Sequence, residues 1–150
     1  MTEIRQLLSY RLHEVANLLS RGAELRYRRE FGVSLWEWRS IALLGAQREP
    51  LSLKHLAHSA GIHKSQMSRV VSGLSKRRLV RREADPQDAR GIRLTLSKAG
   101  QRLYDGLIRA ASERDAAFRG CLSAAETQVF DRALSKLAGQ ARAFIHREKA

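Results

Sequence analysis

Apolar residues at Ile4, Leu8, Leu12, Val15, Leu19 and Ala23 recur every three or four positions, so the chain opens with a long amphipathic helix predicted from Glu3 to about Arg29. Phe31-Gly32 stops it. Ser34-Leu35-Trp36-Glu37 has the form of a capping box, in which a hydroxyl accepts from the third amide and the acid reaches back. It opens a second helix to about Ala46, with Leu35, Trp38, Ile41, Ala42 and Leu44 as the buried side. After Glu49-Pro50, Ser52 is an N-cap for a short helix, Leu53 to Ala60, ended by Gly61. A further helix runs from about Lys64 to Arg77, with Met67, Val70, Val71 and Leu74 on one face. Ser65, Ser68, Arg69, Ser72 and Lys76 share the other, which is small, hydroxylated and basic.

The period then changes. Leu79–Glu83 and Ile92–Leu96 read as short strands, the second alternating at Ile92, Leu94 and Leu96, around a charged turn from Ala84 to Gly91. Ser97 can cap a helix to about Arg119 that places Leu103, Leu107, Ala111 and Phe118 on one side. Ser123-Ala124-Ala125-Glu126 repeats the capping box and starts a last helix with Phe130, Ala133, Leu134, Leu137, Ala141, Phe144 and Ile145 apolar. Long terminal helices with an uncovered apolar stripe call for a partner chain.

Composition narrows the class. At 150 residues and 43% hydrophobic the chain can bury a core without metal or disulfide staples, and no apolar run approaches the length of a membrane span. The N-terminus lacks the pattern of a secretory signal and Cys121 is the lone cysteine, so a reducing, cytoplasmic setting is expected. The formal charge is +13, and the 40 residues from Lys54 to Arg93 hold ten cations against three acids. That stretch carries +7 and coincides with the change of period, which raises its reading from a solvated face to a polyanion-binding one.

Two short helices joined by a tight turn, the second with an exposed Ser and Arg face, followed at once by a basic hairpin, make a winged helix-turn-helix. A helix fits the major groove, where Ser and Gln meet base edges and Arg forks onto guanine, while phosphates are held by Lys, Ser and helix-terminal amides. The hairpin brings a cation to the neighbouring minor groove.

At these residues the chain resembles the MarR/SlyA family of bacterial transcription regulators. Leu56-Ala57 through Gly61-Ile62-His63-Lys64-Ser65-Gln66-Met67-Ser68-Arg69-Val70-Val71 and Leu74 are similar to that family's helix-turn-helix. Asp85-Pro86-Gln87-Asp88-Ala89-Arg90, then Leu96-Ser97-Lys98-Ala99-Gly100, resemble its wing signature, D-x-R followed by L-T-x-x-G. The similarity runs in order and spacing from about Ile4 to Leu107, with two departures: Arg78 stands where a glycine usually ends the recognition helix, and Ser97 replaces a threonine. Arg78 then either takes a left-handed backbone or the helix ends in another way.

The resemblance implies a mainly α fold with a small β-hairpin wing, in which residues 34–97 form the DNA-binding lobe and residues 1–33 and 98–150 the dimerisation helices. It implies a homodimer on double-stranded DNA, reading a pseudo-palindromic operator with half-sites about 10 base pairs apart. Ser65, Gln66, Ser68 and Arg69 would read or flank bases, Lys64 and Arg77 would hold phosphates, and Arg90 would enter the minor groove. Asp88 is expected to position the wing arginines, since an acid facing phosphate is repelled. Gln66, Lys76, Arg81, Arg82 and Arg93 stand evenly between DNA contact and solvated face.

Members of the family often bind aromatic acids between the dimer helices and the lobe. His13, Trp36, Trp38 and Arg39 are candidate lining residues, although Trp36 and Trp38 cannot share one side of a helix. His55, His58 and His63 lack the partners that would complete a zinc set, and no cofactor is expected. Cys121 is expected to be a buried or incidental thiol rather than a peroxide sensor. No catalytic motif is present, so an enzyme is not expected, and the sign of regulation expected is repression relieved by a small ligand. The competing class is an architectural protein that coats DNA without sequence preference.

Overall fold

The computed structural model describes residues 3–150. Its helices are α1 (Leu8–Phe31), α2 (Leu35–Gly45), α3 (Leu53–Ala60), α4 (Lys64–Lys76), α5 (Lys98–Arg119) and α6 (Ala124–Lys149). Strands β1 (Leu51–Ser52), β2 (Val80–Asp85) and β3 (Asp88–Leu96) form one antiparallel sheet in the order β1-β3-β2. The architecture is therefore the expected mainly α winged helix.

Contacts divide the chain into two compact units, one ending at Ala111 and one from Ser112 to Ala150, with the boundary inside α5. The core of the first unit is built from Tyr27, Val33, Ile41, Leu56, Met67, Val71, Leu74, Leu94 and Leu107, all essentially inaccessible. Met67, Val71 and Leu74 are the inward stripe of α4, while Val70 is only half-buried. The fully buried Ser40 is satisfied locally, its hydroxyl donating to the Trp36 carbonyl (2.7 Å) and lying 3.3 Å from the Met67 sulfur. This contact ties α2 to the inner face of α4.

Three helix ends of this unit share one device. Gly32 (φ 65°), Gly61 (φ 72°) and Arg78 (φ 57°) turn left-handed, and the next amide returns to a carbonyl one turn inside each helix: Val33 to Tyr27, Ile62 to Ala57, Leu79 to Leu74. Arg78 thus takes the first of the two conformations foreseen for it. Its strained backbone is held on both sides, since its amide donates to Ser75 and its carbonyl accepts from the Ser97 hydroxyl. Ser97 also caps α5 as expected, its Oγ accepting from the Gly100 amide at 3.0 Å.

Some expectations required correction. The first helix begins at Leu8, not Glu3: Ile4–Gln6 form a separate 3-10 turn, and extended Leu7 breaks the continuity. Strand β1 was not foreseen, β2 ends two residues later than expected and β3 begins four residues earlier, leaving only Pro86-Gln87 between them. The capping boxes of α2 and α6 both form, with Glu37 and Ser34 exchanging bonds of 3.2 and 3.0 Å and Glu126 and Ser123 two of 3.1 Å.

Within the second unit, Arg119 is held by Asp115 (2.9 Å) and Asp131 (3.1 Å), which raise its pKa. No residue of α6 is buried, and Val129, Phe130, Leu134, Phe144 and Ile145 are exposed. Leu8, Val15, Leu18, Leu19 and Leu25 of α1 are likewise exposed. Cys121 is exposed too, correcting the expectation that allowed burial; its thiol donates to the Phe118 carbonyl at 3.0 Å.

Candidate nucleic-acid interface

Helix α4 owes its outward face to its inward one. With Met67, Val71 and Leu74 committed to the core, Lys64, Ser65, Gln66, Arg69 and Lys76 are left exposed and Ser68 half-buried. Helix α3 sets the approach angle: Ser52 caps it by accepting from the His55 amide at 3.0 Å, and Gly61 ends it in the tight turn that leads to α4.

The wing is shaped by its own carboxylates. Asp85 accepts from the Gln87 amide at 2.9 Å and Asp88 from the Arg90 amide at 3.0 Å, so each acid folds the chain just after it. Asp85 also pairs with Arg93 at 3.4 Å. Asp88 therefore touches Arg90 through the backbone amide, while the cation held by a wing carboxylate is Arg93. Arg90 itself is exposed on β3.

Between the turn end of the wing and the first turns of α3 and α4 lies a cleft of about 150 Å³ that Lys54, Lys64, Asp85, Asp88 and Arg90 line together. Residues 26 positions apart, Lys64 and Arg90, thus meet on one surface. Lys54 joins them there, although the sequence marked it only as part of a basic run. The pairing of β1 with β3, Ser52 opposite Arg93, is what brings it close.

Arg77, expected among the phosphate ligands, also makes contacts within the protein. Its Nη1 donates to the Gly32 carbonyl (3.2 Å) and to Glu37 Oε2 (3.0 Å), and it is less than half exposed. Glu37 was read from the sequence only as a capping residue; its second role depends on a partner 40 positions away.

The four expected ligand-lining residues do not converge. Trp38 and Arg39 line a cavity of about 330 Å³ with Ala42, Leu43, Ser59 and Ala60. Trp36 sits under the Arg39 guanidinium at 4.9 Å, Trp38 packs on Tyr27 at 4.8 Å, and Arg39 donates to Ser20 at 3.0 Å. His13 instead lines a separate groove along α1 with Tyr10, Glu14, Asn17, Leu18 and Arg21, which removes it from the Trp38 cavity. His55, His58 and His63 are exposed, and among the described residues no cluster of three metal-ligating side chains occurs.

Comparison with known proteins shows what this lobe is similar to. The family model described as MarR family matches residues 31–91. A MarR-family regulator from Silicibacter pomeroyi superposes with a TM-score of 0.76 at 25% identity, covering 92% of each chain. A MarR/EmrR-family regulator from Acinetobacter sp. ADP1 gives 0.83 at 24% identity over 95% of this chain and 99% of that one. Staphylococcus aureus MepR, solved in complex with DNA, gives 0.81 at 19% identity over 90% and 98%. Among curated proteins none matches the chain. The MarR-type fold is thus that of transcriptional regulators, and these structural neighbours are regulators rather than enzymes. No helix among the described residues is long and apolar enough to cross a membrane.

Proposed function

We propose that the chain is a homodimeric, sequence-specific transcriptional regulator that represses from a pseudo-palindromic operator and is released by a small ligand. The observation that carries this reading is the joint exposure of the α4 face with Arg90 and Lys64 on one cleft. A helix in the major groove and a cation at the minor groove need that adjacency. Ser65, Gln66, Ser68 and Arg69 serve as base readers, Lys64 as a phosphate ligand and Arg90 as the minor-groove cation, with Asp88 setting the Arg90 backbone. MepR, whose fold this chain shares, was solved with DNA, which supports the partner.

Residues 34–97 act as the reading lobe, with residues 1–33 and 98–150 as dimerisation helices. The uncovered apolar faces of α1 and α6 support a second copy as their cover. Release follows from differential binding: a ligand that prefers a dimer with displaced lobes lowers operator affinity by that preference alone. The Trp38–Arg39 cavity, at about 330 Å³, suits a small aromatic acid, with Arg39 available to its carboxylate.

Fluorescence anisotropy against DNA from upstream of the reading frame, beside a shuffled duplex, tests the reading. Specific regulation predicts a preference of about a hundredfold or more for the native fragment. Arg90→Ala should weaken that binding by roughly tenfold and flatten the salt dependence, leaving dimer stability unchanged. Equal, salt-driven affinity for both duplexes would instead favour an architectural protein, for which the +13 charge is the supporting observation.

A further inference from the structure

One nitrogen connects three helix ends. Nη1 of Arg77, the C-cap of α4, donates both to the carbonyl of Gly32, the left-handed C-cap of α1, and to Oε2 of Glu37 in the first turn of α2. The other oxygen of Glu37, Oε1, accepts from the Ser34 amide and closes the α2 capping box. Each oxygen of the Glu37 carboxylate is therefore held by a different element, and its side chain is only 21% exposed. Beneath it, Val33 is 1% exposed, so the α1–α2 junction cannot slide without breaking core contacts. At the other end, Arg77 is followed directly by Arg78, whose backbone is fixed by Ser75 and Ser97. Both anchors of this bridge are stiff.

We propose that Arg77 is a positioning residue and not a DNA ligand: the Arg77–Glu37–Gly32 bridge holds the recognition helix α4 at one orientation relative to the α1–α2 junction. The inference rests on the DNA-binding reading above. It adds a physical joint between the element that reads DNA and the helix that carries Trp38 and Arg39. Both Nη1 protons are committed to the bridge, which fixes the guanidinium against the α1–α2 junction. Losing the bridge leaves the charged face of α4 intact but lets the helix sample other orientations. Apparent affinity then falls by the fraction of time spent in the competent one.

The test uses the full chain and two duplexes, one selected by the unaltered protein from a random-sequence pool and one shuffled. Arg77→Gln, Glu37→Gln and the double variant are compared, with far-UV circular dichroism confirming the helical content of each. Glutamine at 37 keeps an acceptor for the Ser34 amide, so the α2 cap survives. The bridge predicts that each single variant binds the selected duplex about fivefold more weakly. It predicts unchanged affinity for the shuffled duplex, an unchanged salt slope, and a double variant no weaker than the weaker single one. Unaltered binding by Glu37→Gln overturns the proposal. So does an Arg77→Gln variant that weakens both duplexes alike and lowers the slope by about 0.9, the mark of a lost phosphate contact. Failure of the underlying reading is seen separately: the unaltered protein then enriches no duplex, and the positioning role falls with it.

Discussion

Gly100 offers the most direct test of the packing. It lies in the first turn of α5, is buried, and donates its amide to Ser97 Oγ. A methyl group there would land inside the van der Waals radius of the Leu79 carbonyl oxygen and 3.3 Å from the Leu96 side chain. That oxygen already accepts from the Ser97 amide at 3.0 Å, so neither side can yield without cost. Relief requires α5 to lift from the corner where α4 passes into β2, lengthening the Ser97–Leu79 bond. Overpacking of this kind costs about 1–3 kcal/mol and the weakened hydrogen bond about 1 kcal/mol, while alanine returns up to about 1 kcal/mol of helix propensity. The net is about 2 kcal/mol. For a chain of this size that is a fall in Tm of roughly 4–8 °C, measured by circular dichroism at fixed protein concentration because a dimer's Tm depends on it. Gly73→Ala is the matched control. Nothing lies within 4 Å of a methyl added there, so the same substitution should stabilise by about 0.5–1 kcal/mol. A Gly100→Ala protein melting within about 1 °C of the unaltered one would refute the close approach of α5 to Leu79.

Other consequences are equally open to measurement. Val129→Asp together with Phe144→Asp places charge on the uncovered face of α6 and should shift the protein from dimer to monomer in sedimentation; an unchanged dimer would exclude that face from the interface. The Glu126 carboxyl is held below its ordinary value of 4.5 by hydrogen bonds from the Ser123 backbone and side chain. A depressed carboxylate contributes stability above its unfolded pKa that is lost as pH falls through the folded one. Glu126→Gln should therefore lower stability slightly at neutral pH, match the unaltered protein in acid and so flatten the decline below about pH 4.5; an unaltered acid limb would show that the capping box has no thermodynamic weight.

Much of this fold is legible because its signals are local. Both capping boxes, the Gly61 stop and the Ser97 cap follow from residues a few positions apart, and the structure has each of them, while for Arg78 it selects the left-handed one of two open alternatives. The α4 stripe was legible for the same reason. What escaped depends on partners distant in sequence. Strand β1 is two residues long, too short for any periodicity, and exists only because Leu94 and Arg93 pair with it. Ala84-Asp85 and Asp88-Ala89 carry turn-forming side chains yet lie in strands, because Asp85 and Asp88 bend the chain through their own carboxylates and only Pro86-Gln87 is left to turn. The bridge from Arg77 to Glu37 closes over 40 residues and has no sequence signature. His13 was grouped with the tryptophans by residue type alone, and α1 carries it to a different groove.

At Arg78, the seam between α4 and β2, backbone strain and positive charge are exchanged for each other. A left-handed arginine costs about 1 kcal/mol relative to glycine, and the surrounding bonds from Ser75 and Ser97 absorb that strain without removing it. Retaining a side chain there keeps three successive cations, Lys76, Arg77 and Arg78, where a glycine would leave two. A glycine at 78 should therefore make a sturdier protein with one cation fewer beside the proposed DNA-binding face. In this corner of the molecule, backbone ease and positive charge pull in opposite directions.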